Sequence, residues 1–374
     1  MKKAEATEWS FEPDIALPCS RCWLSSQNIM RCRYTFTVVS DVALPTSVQF
    51  NRGGTVFTLK AEKGRFTALV VEQPGVKMTN FGRLEAASPG GIGRVTIPSD
   101  PVLPFVQMEI RAVRGALGLW GVADIDIDYP QVEWLPESEG ERRELMISSF
   151  RPGNTPLGSR QPRNMPIDQL IRPLLSWRSF LPVEIPLEFY RRGEEDMAKA
   201  NYIEAIYDFY FVLEFLFAGG KFTKHAVREA MLGSEEAKRV LVEAQQHVLP
   251  DIRDNPADLA RFDARYRYRT LEEVIDTITD IRGLLHHQSQ TRKQNWSPAS
   301  PGEFKVDAYF LCVAAHTAVL NLSTSLLFVP EEEAKFNATA LTNPEGRRIV
   351  LKPIPEPPGA DQIKVPPPTR QNTP

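Results

Sequence analysis

Arg282, His286 and His287 are the residues whose types and spacing could do chemistry, and they close the stretch 270–287, T-L-E-E-V-I-D-T-I-T-D-I-R-G-L-L-H-H. A guanidinium grips an oxyanion through paired N–H donors, and an imidazole takes up or releases a proton near neutral pH. The combination suits a reaction in which a proton moves while charge develops on an oxygen. The same stretch carries the signals of a helix that would hold these groups. Thr270 followed by Glu273 forms a capping box, and Leu271, Val274, Ile275, Ile278, Ile281 and Leu285 recur at helical spacing. At about 100° per residue, Arg282 falls on that apolar face, one heptad after Ile275. An arginine there needs an acceptor, because an unpaired buried charge is costly. His286 lies one turn after Arg282 on nearly the same side, and His287 lies further round, near the expected helix end. The plainer alternative is an arginine at the rim of a core with two exposed histidines.

Two further stretches could serve such a site. The segment 201–218, N-Y-I-E-A-I-Y-D-F-Y-F-V-L-E-F-L-F, is apolar or aromatic on most of a helix circumference and ends at Gly219-Gly220. Glu214 shares a face there with Ile203, Tyr207, Tyr210 and Phe217, so the simplest expectation is that Glu214 meets Arg282. Such a pair is either a static ion pair or a carboxylate that orients the arginine or a histidine in a cleft. The segment R-F-D-A-R-Y-R-Y-R at 261–269 places Arg261, Arg265 and Arg269 four residues apart, a basic stripe if helical. Phe262, Tyr266 and Tyr268 interleave with it. Arginines hold phosphates and aromatic rings stack on unpaired bases, which suits single-stranded RNA. The alternative is a solvated face paired with Asp258, Asp263 and nearby acids.

The cysteines offer a weaker constellation. Cys19 and Cys22 form C-x-x-C, and Cys32 follows on the inward side of an expected strand. Three thiolates at that spacing can share a zinc ion, which would need a fourth ligand, yet all five histidines fall at or after 225. Reduced thiols are the favoured reading and a metal site at Cys19, Cys22 and Cys32 the lesser one. Asp124, Asp126 and Asp128 point to one side of an expected strand, a solvated face rather than a cation site.

The elements that must position these residues divide the chain. Its 374 residues exceed one typical domain, the 42% hydrophobic content suffices for a sizeable core, and a net charge of −3 excludes a globally basic nucleic-acid binder. In 30–38, Met30, Cys32, Tyr34, Phe36 and Val38 alternate with a mostly polar set, a half-buried strand. Further strands are expected at 55–60, 65–71, 76–84, 94–97, 105–114 and 117–127, which predicts an antiparallel β-sandwich or jelly-roll-like domain over 1–135. The Pro-, Gly- and Arg-rich 136–166 reads as a linker. Helical periods predict helices near 167–178, 186–199, 201–218, 223–248 with a break at Gly233, 256–267, 271–287 and 303–329. Together these give an α+β chain of two domains, the second helical over 167–330, followed by a Pro-rich, extended and mostly disordered tail over 331–374. Residues 1–20 lack a secretory pattern. Tyr309–Val329 carries no Asp, Glu, Lys or Arg and could cross a bilayer by length, but its polar residues and solitude favour a buried core helix.

Arg-x4-His, from Arg282 to His287, resembles the signature of HEPN domains (higher eukaryotes and prokaryotes nucleotide-binding). The segment I-Y-D-F-Y-F-V-L-E-F-L-F is similar to the early helix of ApeA-like HEPN domains, which often carries a similarly placed Glu. With its extension to A-G-G-K-F it is also similar to proteins labelled methylamine-utilisation protein J, a label that implies no chemistry. The resemblance covers roughly 185–330. It implies an all-α helical bundle and a metal-independent ribonuclease in a defence or stress role, cytoplasmic and without a cofactor. Arg282 would stabilise phosphoryl charge, His287 (or His286, by helical phase) would move the proton, and Glu214 would orient them. It also implies a homodimer whose two Arg-His sets line one cleft, with the β-domain as sensor or specificity module. The family usually carries a polar residue, often Asn, directly after the arginine. Gly283 stands here instead, which keeps a non-catalytic dimeric interaction protein as the alternative.

Overall fold

The structure, a computed structural model, describes residues 29–77, 83–85, 94–96, 100–145, 147–150, 164–286 and 301–350. Its strands are β1 (Ile29–Ser40), β2 (Val48–Arg52), β3 (Thr55–Glu62), β4 (Arg65–Lys77), β5 (Arg83–Glu85), β6 (Arg94–Thr96), β7 (Val122–Ile125), β8 (Gln131–Leu135) and β9 (Ser149–Phe150). In β1 the alternation acts as expected. Met30, Cys32, Tyr34, Phe36 and Val38 are buried, while the described residues between them are exposed or half-buried. β1 pairs antiparallel with β4 on one side and with β8 and β7 on the other. The sheet runs β2-β3-β4-β1-β8-β9, with β7 beside β1, and β5-β6 is a separate two-stranded hairpin.

The sandwich expectation does not hold among the described residues, which form one seven-stranded antiparallel sheet and that hairpin. What would have been further strands at 105–114 and the start of 117–127 is α1 (Leu103–Gly118). Val106, Ile110, Val113 and Leu117 all bury at helical spacing, and Pro104 suits the first turn. α1 packs against β7 and against the helices Ile167–Leu175, Trp177–Phe180 and Glu184–Ala198 of the second half.

The remaining helices are α2 (Glu139–Glu144), α3 (Ile167–Leu175), α4 (Trp177–Phe180), α5 (Glu184–Ala198), α6 (Tyr202–Phe217), α7 (Lys224–Gly233), α8 (Glu235–Gln246), α9 (Pro250–Arg253), α10 (Pro256–Phe262), α11 (Leu271–His286), α12 (Lys305–Leu327) and α13 (Pro330–Ala338). A π-turn, Asp263–Arg267, follows α10. The break at Gly233 falls where expected, with Ser234 capping α8. Part of the expected linker is ordered. Ser138 and Glu141 form a capping box on α2, and β9 pairs with β8.

The tail also differs from an extended segment. Pro330 opens α13 and Glu331, Glu332 and Glu333 fill its first turn, where carboxylates favour the helix dipole. Glu332 accepts a 2.6 Å hydrogen bond from Ser176. Beyond α13 the chain returns to the edge of the sheet, where Gln49 N donates to Thr342 O at 2.7 Å and Thr342 N to Gln49 O at 2.9 Å. Residues 351–374 of that expectation lie outside the described residues.

One hydrophobic core runs through both halves. α1 approaches α5 at Gly115, where a Cβ would stand 2.5 Å from the Leu187 carbonyl carbon, so the contact requires glycine. Polar ties flank it. Arg114 donates to Glu188 at 2.6 Å, and Arg191 donates to the same carboxylate at 2.8 Å and to Ala123 O at 2.9 Å. α12 is long and apolar enough to cross a membrane by length and composition, but it packs on α5, α6 and α8 as a core helix.

Asp208, on the buried side of α6, has an exposed partner in Arg192 at 3.3 Å and one oxygen without a hydrogen bond. Burial pushes its carboxyl up to about 6, against the pull of Arg192. Because the folded value exceeds the unfolded one, this group's stabilisation is fully present below about pH 4 and is lost as pH rises through about 6. Asp208→Asn is expected to flatten the stability curve across that window and to gain on the order of 2 kcal/mol at pH 7. Urea midpoints at pH 4.5 and 7 check this, and an unchanged slope would mean that ionised Asp208 is well solvated.

Candidate functional site

α11 starts as its sequence demands. Thr270 N donates to Glu273 Oε2 at 2.8 Å, and Glu273 N donates to Thr270 Oγ1 at 3.3 Å. Val274, Ile275, Ile278, Ile281 and Leu285 are buried. That burial fixes the rotation of the helix and sets Arg282, in its last turn, at the border between core and solvent. α6 lies beneath it. The Arg282 guanidinium stands 3.9 Å from Glu214 Oε1 and 5.7 Å above the Tyr210 ring. The expected pair therefore meets as an ion pair rather than as a hydrogen bond. Arg282 is a quarter exposed, whereas Glu214 is 15% exposed and its Oε1 has no hydrogen-bond partner. Burial pushes the Glu214 carboxyl up, and Arg282 partly offsets this. Glu214 is thus an under-satisfied carboxylate that holds a guanidinium from behind.

In front of Arg282 opens a cleft of about 1210 Å³, lined also by Tyr210, Phe222, Lys224, Arg265, Arg269 and Gly283. Most of its cations are engaged. Lys224 pairs with Asp280, Arg269 with Glu273 at 3.3 Å, and Arg265 with Asp307 at 2.9 Å. Among the described cations lining the cleft, Arg282 has the longest carboxylate contact and is the least committed. Glu273, Asp276 and Asp280 stand on the same walls.

The basic-aromatic stripe is only partly as expected. The π-turn shifts the phase of the chain, so Arg265 and Arg269 line the cleft while Arg261 donates instead to Glu303 O at 3.0 Å. Tyr266 cannot stack on a base. It is fully buried, its ring lies 4.0 Å from that of Phe310, and its hydroxyl donates to Asp307. Burial and the Asp307 carboxylate hold that phenol protonated. Gln245 pins the turn from α8 by donating to Tyr266 O at 2.7 Å and Arg269 O at 2.9 Å. Tyr268 is 76% exposed but does not line the cleft. Phe222, equally exposed, does line it, and its sequence surroundings gave no periodic signal for that place.

His286 is the last residue of α11, and His287 lies outside the described residues, as do Cys19 and Cys22. Cys32 is wholly buried, and burial pushes its thiol up to about 12, so it is a core thiol at neutral pH.

No family model, no curated protein and no solved structure matches the chain.

A second cleft of about 500 Å³ lies between α1, β7, α5, α8 and α12. There Tyr190 hydrogen-bonds His316 Nδ1 at 2.7 Å and the Cys312 thiol donates to Glu194 at 3.2 Å. Burial pushes the His316 ring down and the Cys312 thiol up, which favours neutral forms of both. Among the described residues no three His, Cys, Asp or Glu side chains are placed to hold a metal ion.

Proposed function

We propose that this protein is a HEPN-type, metal-independent endoribonuclease, or a diverged relative, acting on single-stranded RNA as a cytoplasmic homodimer in a defence or stress response. The observation that carries the proposal is the setting of Arg282. It stands in the last turn of α11, supported from behind by Glu214 and Tyr210, and opens into the larger cleft with its donors least committed.

In the proposed reaction a histidine takes the proton of a ribose 2′-hydroxyl. The 2′ oxygen then attacks the adjacent phosphorus, the bond to the 5′ oxygen breaks, and that oxygen leaves with a proton. The products are a 2′,3′-cyclic phosphate and a 5′-hydroxyl. Arg282 would hold the phosphoryl oxygens as charge builds on them. The sheet half would sense a trigger or choose the target, and α1 against α5 offers a rigid connection for it.

A second reading, a non-catalytic dimeric interaction protein, has two observations in its favour. Carboxylates share the cleft walls with the cations, and Gly283 stands where the family's polar residue would be. A Cβ at Gly283 meets nothing within 4 Å, so Gly283→Asn should fold normally.

The test is cleavage of a labelled single-stranded RNA in chelator by wild type, His286→Ala, His287→Ala and Gly283→Asn. Loss with His287→Ala, retention with His286→Ala and a gain with Gly283→Asn are the expected results. Loss with His286→Ala alone moves the proton transfer one residue back. Inactive wild type that Gly283→Asn does not rescue supports the interaction protein.

A further inference from the structure

We infer that Phe222 is the platform on which an unpaired base of the RNA stacks beside the phosphate held by Arg282, an inference that rests on the ribonuclease reading of this cleft. Phe222 is 76% exposed, an unusual state for a phenylalanine whose neighbours form a concave wall. Its backbone is pinned on both sides. Gly219 (φ 57°) and Gly220 (φ 77°) make the turn after α6, closed by Lys221 N donating to Ala218 O at 3.1 Å. Directly after Phe222, Thr223 caps α7 by accepting from Ala226 N.

The ring is therefore held out on a defined loop rather than at the end of a free one. Lys224 follows on the same wall, and Arg282 and Tyr210 line the same cleft. An aromatic face next to cationic groups is the arrangement that binds a base and its phosphate together, and it tolerates any base because each has a π-face. A paired base has both faces covered by its own stack, so the platform would select single strands over duplex. Phe222 also takes the role the sequence suggested for Tyr266 and Tyr268, of which one is buried and the other does not line the cleft.

The test uses a fluorescein-labelled, non-cleavable 2′-O-methyl oligoribonucleotide, single-stranded and as its duplex, with fluorescence anisotropy on the full chain. Phe222→Ala is expected to weaken single-strand binding by roughly 5–100-fold, Phe222→Leu nearly as much, and Phe222→Trp to retain it. Duplex binding should not change. If Phe222→Ala binds like wild type while Arg282→Ala is weakened, the platform is wrong and the RNA reading stands. If Phe222→Leu binds like wild type, a generic apolar contact replaces stacking and the inference fails. If neither wild type nor any variant binds RNA, the reading and the platform fall together. Sedimentation of each variant covers the remaining case, because a mass that shifts together with affinity would assign Phe222 to a contact between copies.

Discussion

Arg282→Ala is expected to slow RNA cleavage by about 10²–10³-fold, the usual effect of removing one donor from a developing oxyanion. Stability should fall by no more than ~1–2 kcal/mol. The side chain is a quarter exposed, and what it leaves behind is Glu214, whose carboxyl burial already pushes up and which would rise further without its cation. Arg282→Lys should not restore the rate, because an ammonium supplies a point charge where two phosphoryl oxygens call for a planar fork. Glu214→Gln is the complementary measurement. It keeps the volume and removes the charge, so a positioning role predicts a smaller loss that falls on kcat more than on KM. Single-turnover rates for the three variants separate these effects. Wild-type rates in Arg282→Ala would remove the centre from the proposed site.

The largest effect on stability should come from Asp307→Ala, at about 2–4 kcal/mol, most of it from the buried Tyr266 hydroxyl because water screens the exposed side of Arg265. Asp307 is 2% exposed on α12 and meets one wholly buried group and one that also reaches the open cleft. The Tyr266 hydroxyl donates to it, and the Arg265 guanidinium stands 2.9 Å away. Truncation leaves a buried hydroxyl and a partly buried cation without their acceptor, and the loss exceeds what the pair contributes when intact. Asp307→Asn keeps an acceptor for Tyr266 and gives up only the charge, so its penalty should be clearly smaller. Urea unfolding of both variants gives the comparison, and equal penalties would show that charge rather than hydrogen bonding holds the π-turn in place. Because Arg265 also lines the cleft, Asp307→Ala should disturb RNA binding as well.

How much of this could be read from the residues differs from element to element. β1 and α11 were legible because each has one clean period, and α11 also announces its start with Thr270 and Glu273. The meeting of Glu214 with Arg282 was legible for the same reason, since each is a charge set on an apolar face of known phase. α1 was not, because over 105–112 Val106, Met108, Ile110 and Ala112 alternate as well as a strand would. Only Val113 and Leu117 break the tie, and both are buried at helical spacing. The π-turn was invisible for a different reason. One wide turn rotates everything after it, so the four-residue step from Arg261 to Arg265 to Arg269 no longer means a common face. Phe222 sits in a turn after two glycines, where neither period applies, and only the closing of α7 against α11 reveals which surface it faces.

The return of the chain to β2 has a consequence for how the protein is made. An unpaired strand edge is an open template for other chains, and here part of it is covered only by the Gln49–Thr342 pairing. At ribosomal speeds of about 5–20 residues per second, the roughly 290 residues separating Arg52 from Thr342 take ~15–60 s to appear. For that interval a nascent β2-β3-β4 meander would present a bare edge beside neighbouring ribosomes on the same message. Slow translation, or a stop shortly before Thr342, should therefore send this protein toward co-translational aggregation well before it harms any completed molecule.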